Sequence, residues 1–175
     1  ITGDFIGNGA VSDSIWPSYG GAIYNSTSAI LQTAAIGDIT GNFISNYVSN
    51  TAALAYGGAV YNHGVDNNSV SLGVISGSFI GNHAEGNTVR GGAIYNTVGQ
   101  YSNNKTDTPI ENIPTIPLIK GDFIGNYRIG TETAFGGAIS NINKGIAPDI
   151  YGNFIGNYVD AKLSRAGAVL SLIHI

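Results

Sequence analysis

Two short motifs alternate along the chain and set where its apolar positions fall. F-I-G/S-N begins at Phe5, Phe43, Phe79, Phe123 and Phe154, and G-G-A-I/V-Y/S-N begins at Gly20, Gly57, Gly91 and Gly136. Laid on one another they share a frame whose first position runs Phe5, Ala22, Phe43, Ala59, Phe79, Ala93, Phe123, Ala138, Phe154 and Ala168. The steps are 17, 21, 16, 20, 14, 30, 15, 16 and 14 residues, so one step alone is long. The second position is an aliphatic column of Ile6, Ile23, Ile44, Val60, Ile80, Ile94, Ile124, Ile139, Ile155 and Val169. The fourth is a column of Asn8, Asn25, Asn46, Asn62, Asn82, Asn96, Asn126, Asn141 and Asn157.

A repeat this short is too small for the two amphipathic helices of a helical repeat, and no segment shows the 3.6-residue period. Short β-stretches separated by Gly, Asn and Ser turns, stacked at the ~4.8 Å strand spacing, bring like residues into register. The expectation is an all-β, parallel β-solenoid of about ten coils, with a rod core about 48 Å long. Phe copies carry Gly or Ser two places on while most Ala copies carry Tyr, so bulk is expected to alternate from layer to layer. A bend between the first two positions would bury both, with Asn in the following turn satisfying backbone groups of the next coil.

Composition narrows the class. Of 175 residues, 26 are Gly and only 10% are charged, while 43% are hydrophobic, enough to fold rather than stay disordered. There is no Cys, so packing replaces disulfides, thiol catalysis and the usual structural zinc. There is also no Met, which reads as a piece of a longer protein: residues 1–169 form a single β-helical segment. No apolar run approaches the ~18 residues that span a bilayer. The net charge is −4 and every Lys and Arg lies at or beyond Arg90, which gives no basic stripe for nucleic acid.

The alternating F-x-x-N and G-G-A-I/L/V motifs resemble the passenger repeats of chlamydial polymorphic membrane proteins and related autotransporter adhesins, over Phe5 to Val169. That resemblance implies a right-handed parallel β-helix exported through its own C-terminal outer-membrane barrel. It also implies a place at the bacterial cell surface, and attachment to host-cell or environmental glycans or proteins. Membrane contact is expected only through a translocator domain absent from this sequence. The last six residues, from Leu170 to Ile175, abandon Tyr and Asn and match the translation of a transposon end used in sequencing libraries. They are expected to be a non-native tail; a degenerate terminal coil is the other reading.

Right-handed β-helices also host polysaccharide lyases and glycosidases, so the carboxylates matter. A glycosidase pair sits ~5–9.5 Å apart, whereas Asp4 and Asp122 at equivalent repeat positions lie six coils, about 29 Å, apart on a ten-coil stack. They read as turn residues. His63 and His83 each follow a ladder Asn and form no metal-ligand spacing. The Gly pairs lack a following G-K-S/T, so tight turns replace phosphate loops. No catalytic residue, cofactor site or metal site is assigned. Tyr24, Tyr61 and Tyr95, with Ser140 continuing their column, and Tyr47, Tyr127 and Tyr158 either stack sugars or cover the edge of the core.

The long step between Ala93 and Phe123 holds Lys105, Pro109, Pro114 and Pro117. Proline cannot donate to a sheet ladder, so a loop from Gln100 to Leu118 is expected to leave the rod. It is either a recognition loop or a tolerated insertion. With what the resemblance implies, the expectation is a non-enzymatic segment of a bacterial cell-surface or secreted adhesin-like protein. The alternative is a fragment of a carbohydrate-active β-helix enzyme.

Overall fold

The computed structural model describes residues 1–27, 32–65, 69–99, 115–142 and 148–172, all of it strand, turn and bend without a helix. The strands form a parallel β-helix in which each named strand lies on its counterpart one turn away. Phe5 pairs with Phe43, Phe43 with Phe79, Phe79 with Phe123 and Phe123 with Phe154. One turn therefore takes 38, 36, 44 or 31 residues. This corrects the coil count: the ten motif copies lie two per turn, and the described residues form a stack of five turns. Fourteen to twenty-one residues reach only part of the way around the rod, because two different walls use similar turn chemistry. The repeat unit is the pair of motifs.

The same register overturns the alternation of bulk. Phenylalanine stacks on phenylalanine, with ring centroids 4.6, 4.6, 4.9 and 4.9 Å apart. Planes inclined by no more than 6° at separations above the ~3.5–4.0 Å of carbon–carbon contact describe parallel, offset stacks, the favourable arrangement for ring quadrupoles. Identical residues on in-register strands adopt the same rotamer, so the coil spacing sets the ring spacing.

On this Phe wall (Phe5–Ile6, Phe43–Ile44, Phe79–Ile80, Phe123–Ile124 and Phe154–Ile155) the pleat sends Phe inward and Ile outward. Phe43, Phe79 and Phe123 are fully buried while Ile44, Ile80 and Ile124 are half-buried and Ile6, in the end turn, is 63% exposed, so the Ile half of the supposed continuous aliphatic core column lies on the outer side of the wall. On the wall opened by the Gly pairs (Ile23–Ser26, Val60–Val65, Ile94–Gly99, Ile139–Ile142 and Val169–Leu172), Ala and the following aliphatic residue are both buried in the three inner turns, at Ala59 and Val60, Ala93 and Ile94, and Ala138 and Ile139, while Val169 in the last turn is exposed. The chain bends there, as Gly57 shows with φ +66. A Cβ on Gly58 would lie 2.0 Å from the Gly92 carbonyl oxygen. Each Gly pair thus serves two needs, a left-handed turn and a close backbone crossing.

Phe43, Phe79, Phe123, Ile39, Ile75, Ile94, Ile119 and Ile139 fill the main core, each worth roughly 1.5–3 kcal/mol on burial. Between the two motif walls the chain makes a lobe carrying Tyr47–Tyr56, His83–Arg90 and Tyr127–Phe135 as its central strands. Val48, Ala55, Ala84, Val89 and Ala134 form its separate small core. These strands bend halfway along, where the register shifts between Gly86 and Thr88. At that bend the Asn50 Oδ1 accepts the N–H groups of Ala52 and Ala53 at 3.0 and 2.8 Å.

The expected Gln100-to-Leu118 loop is shorter at its C-terminal end. Thr115 bridges to Ser71, Ile116 is fully buried, and Leu118 opens the strand Leu118–Lys120. Near the C-terminus of the chain Leu170, Ser171 and Leu172 pair in register with Ser140, Asn141 and Ile142, places in the stack that the motif frame did not foresee. Ile173, His174 and Ile175 lie outside the described residues.

Candidate functional site

The nine ladder asparagines separate into two stacks. In the Phe-wall stack, Nδ2 of Asn8, Asn46, Asn82 and Asn126 donates to Oδ1 of the Asn one turn on, at 2.9–3.0 Å. The backbone N–H of each donates to the same oxygen at 3.0 Å. The second Nδ2 proton of Asn46, Asn82, Asn126 and Asn157 goes to the Phe carbonyl of the turn before. A carboxamide offers two donor protons and two acceptor lone pairs, and the internal members use all four. In the second stack, Asn25, Asn62 and Asn96 donate to Asn62, Asn96 and Asn141, each at 2.9 Å. Asn25 also reaches across to the Ser71 carbonyl at 3.0 Å.

A third ladder runs outside, through Asp4, Asn42, Ser78, Asp122 and Asn153. Each of the first four accepts the backbone N–H of the next through a side-chain oxygen, at 2.7–3.1 Å. Asp4 and Asp122 are thus turn residues three turns, about 14 Å, apart, and not the 29 Å that ten stacked coils imply. Asp38 accepts the Val74 N–H at 2.9 Å, and Glu132 pairs with Lys162. These carboxylates are engaged in holding the coils. Among the described residues no three His, Asp or Glu side chains gather as a metal site.

The tyrosine columns resolve into two structures. Tyr47, His83, Tyr127 and Tyr158 form one outer stack with centroids 5.5, 4.7 and 5.1 Å apart, so His83 is a stacking ring. Tyr24, Tyr61 and Tyr95 form another at 5.4 and 5.2 Å, joined by Tyr19 and Tyr56 where the lobe meets the Gly-pair wall. Arg90 donates to the Tyr95 hydroxyl at 2.8 Å and lies over the Tyr56 ring. Burial pushes the Tyr56 hydroxyl up to about 12 and raises Tyr61 still further. His63, stacked on Tyr61, is pulled below its ordinary value by burial. Tyr61 and Tyr95 are almost wholly buried, so this corner is an external seam of the core with Tyr24 at its open end.

Arg128 points into the lobe at the register position held by Val48, Ala84 and Val159 in other turns. Its Nη1 donates to the Val89 carbonyl, while Nε and Nη2 find no partner among the described residues. Burial, then the neighbouring Arg90 charge, lower its affinity for a proton well below that of an ordinary guanidinium.

On the outside of the same lobe lies an open groove of about 240 Å³, lined by Ser49, Thr51, Glu85, Gly86, Ile129 and Thr131, with Asn50 at its edge. The bend of each turn has a different length, which makes the depression. Residues 51–53 intervene in the second turn, Asn87 alone in the third, and Thr131 with Glu132 in the fourth. In the first turn the bend is longer still and carries Ile15 and Trp16, 80% and 74% exposed.

Of the loop residues singled out from sequence, Lys105, Pro109 and Pro114 lie outside the described residues. Pro117 is exposed and its carbonyl accepts the Asp149 N–H at 3.3 Å. The groove, the Arg90 corner and buried Arg128 have no signature in the motif frame, because all three arise where the turns differ. No family model matches this chain, and neither a curated protein nor a solved structure is found to be similar to it.

Proposed function

We propose that this chain is a non-enzymatic β-helical repeat segment of a bacterial cell-surface or secreted adhesin-like protein of the autotransporter-passenger type. In this reading the rod is a stalk and display platform, and its partners are glycans or proteins of host cells or environmental surfaces. The supporting observation is where the recurrent polar side chains are used. The Asn stacks and the outer Asp, Asn and Ser ladder spend their hydrogen bonds joining one turn to the next, so repetition builds a rod and no repeated reaction centre. Immobilised full chain is expected to retain cells or surface glycans, and to release no reducing ends or unsaturated products from a panel of polysaccharides. Turnover of any polysaccharide, lost on changing Glu85, would replace this reading with a carbohydrate-active enzyme.

A further inference from the structure

We propose that the groove on the outer lobe binds a short, uncharged oligosaccharide lying along the stack, with Trp16 as an aromatic platform at its first-turn end. The proposal rests on the reading of the chain as a binding scaffold and names what it binds. The dip exists because the third turn crosses the bend with Asn87 alone while its neighbours use longer bends. Gly86 puts no side chain into it. The lining mixes apolar and polar chemistry: Thr51, Thr131 and half-exposed Ile129 bring aliphatic groups to it. The threonine hydroxyls, that of Ser49 and the Glu85 carboxylate offer donors and acceptors. A pyranose has that same double character, C–H faces with hydroxyls at the rim.

Charge and backbone pairing exclude the nearest competitors. Glu85 lies in the outward column with Asp160, and among the described residues neither Lys nor Arg lines the groove, so an acidic glycan meets like charge. A peptide adding as a strand needs a free sheet edge, and His83–Arg90 is already paired on both sides. Trp16 is held in place through its backbone: its carbonyl accepts from the Nδ2 of Asn50, a groove residue, at 2.7 Å, and its N–H donates to the Ser14 Oγ at 3.2 Å. From the dip in the third turn to Trp16 in the first is two coil spacings, about 10 Å along the stack, so a chain of a few sugar rings reaches both.

Trp16 is the single tryptophan of the chain and reports directly. The full chain is titrated with cellohexaose, hexa-N-acetylchitohexaose and a heparin-derived hexasaccharide, followed by tryptophan fluorescence and calorimetry. At least one neutral hexasaccharide is expected to bind and shift the emission, and the heparin fragment is not. Trp16→Ala weakens the calorimetric affinity by about tenfold, the scale of one lost aromatic contact. Thr131→Tyr, which fills the dip, abolishes binding with far-ultraviolet circular dichroism unchanged. If Thr131→Tyr fails to fold, Trp16→Ala decides alone. Absence of binding by both neutral sugars, unchanged affinity in the folded variants, or preference for heparin overturns the proposal. Cell retention of the same variants separates the two claims: retention that persists without sugar binding removes the groove and leaves the scaffold. A wild-type chain that binds sugar but no cell or surface removes the adhesin reading alone.

Discussion

The Phe wall and the outer lobe share one coil spacing and differ in nearly everything else. On the wall, two residues per strand recur in all five turns, the rings stack within 6° of parallel, and each internal Asn is saturated. In the lobe, the equivalent inward position is Ala10, Val48, Ala84, Arg128 or Val159, and the bends differ from turn to turn. Where every turn repeats a residue, that residue is serving its copies above and below. Where turns diverge, surface shape and unpaired polar groups appear, and those are the places with chemistry left to offer.

The contrast breaks most severely if a saturated rung is removed. Asn82→Ala strands the Asn46 donors and the Phe43 carbonyl at once and leaves the Asn126 oxygen only the backbone N–H of residue 82, and should cost about 2–4 kcal/mol in chemical denaturation. Asn8→Ala, with a turn on one side only, should cost less than about 1 kcal/mol. Equal, small losses at both positions would show that the ladder does not hold the turns together.

In the lobe the sign reverses. The Arg128 guanidinium sits in a fully buried site with one hydrogen bond among the described residues, an arrangement that an apolar side chain of similar size commonly improves. Arg128→Leu should therefore raise stability by about 1–3 kcal/mol, seen as a higher denaturation midpoint; a lower one would mean that the guanidinium supports the lobe. The smallest effect returns to the wall, where Ser45, with φ 53, occupies the left-handed turn position taken by Gly7, Gly81, Gly125 and Gly156 in other turns. Ser45→Gly should gain about 0.5–1 kcal/mol, measurable as a thermal shift, because the Cβ strain exceeds glycine's entropy cost.

Much of the wall was legible in the sequence. The Phe, Ala and Asn columns gave a parallel β-solenoid, since only in-register stacking makes a recurring buried amide useful. The number of turns was not legible: two walls with similar turn residues look like two copies of one coil until the pairing of Phe43 with Phe79, 36 residues on, is known. Which of Phe and Ile faces inward was equally hidden, because a two-residue strand is too short for alternation to declare a face. Ile116 was missed because three prolines nearby marked the whole segment as loop, although its last residues return to the core. The groove could not have been read from a motif at all, since it comes from differences in bend length between strands far apart in sequence.

The account depends on two motif copies sharing each turn, and the absence of native cysteine makes that directly measurable. Ile44 and Ile80 are partners on adjacent strands of the Phe wall, within the Cα range a disulfide accepts, while Ile94 belongs to a different wall. Under mild oxidation the Ile44→Cys, Ile80→Cys chain should lose both free thiols, as read by thiol titration and intact mass. The Ile80→Cys, Ile94→Cys chain should keep them. A cross-link between positions 80 and 94 with none between 44 and 80 would restore the ten-coil stack and contradict the five-turn helix.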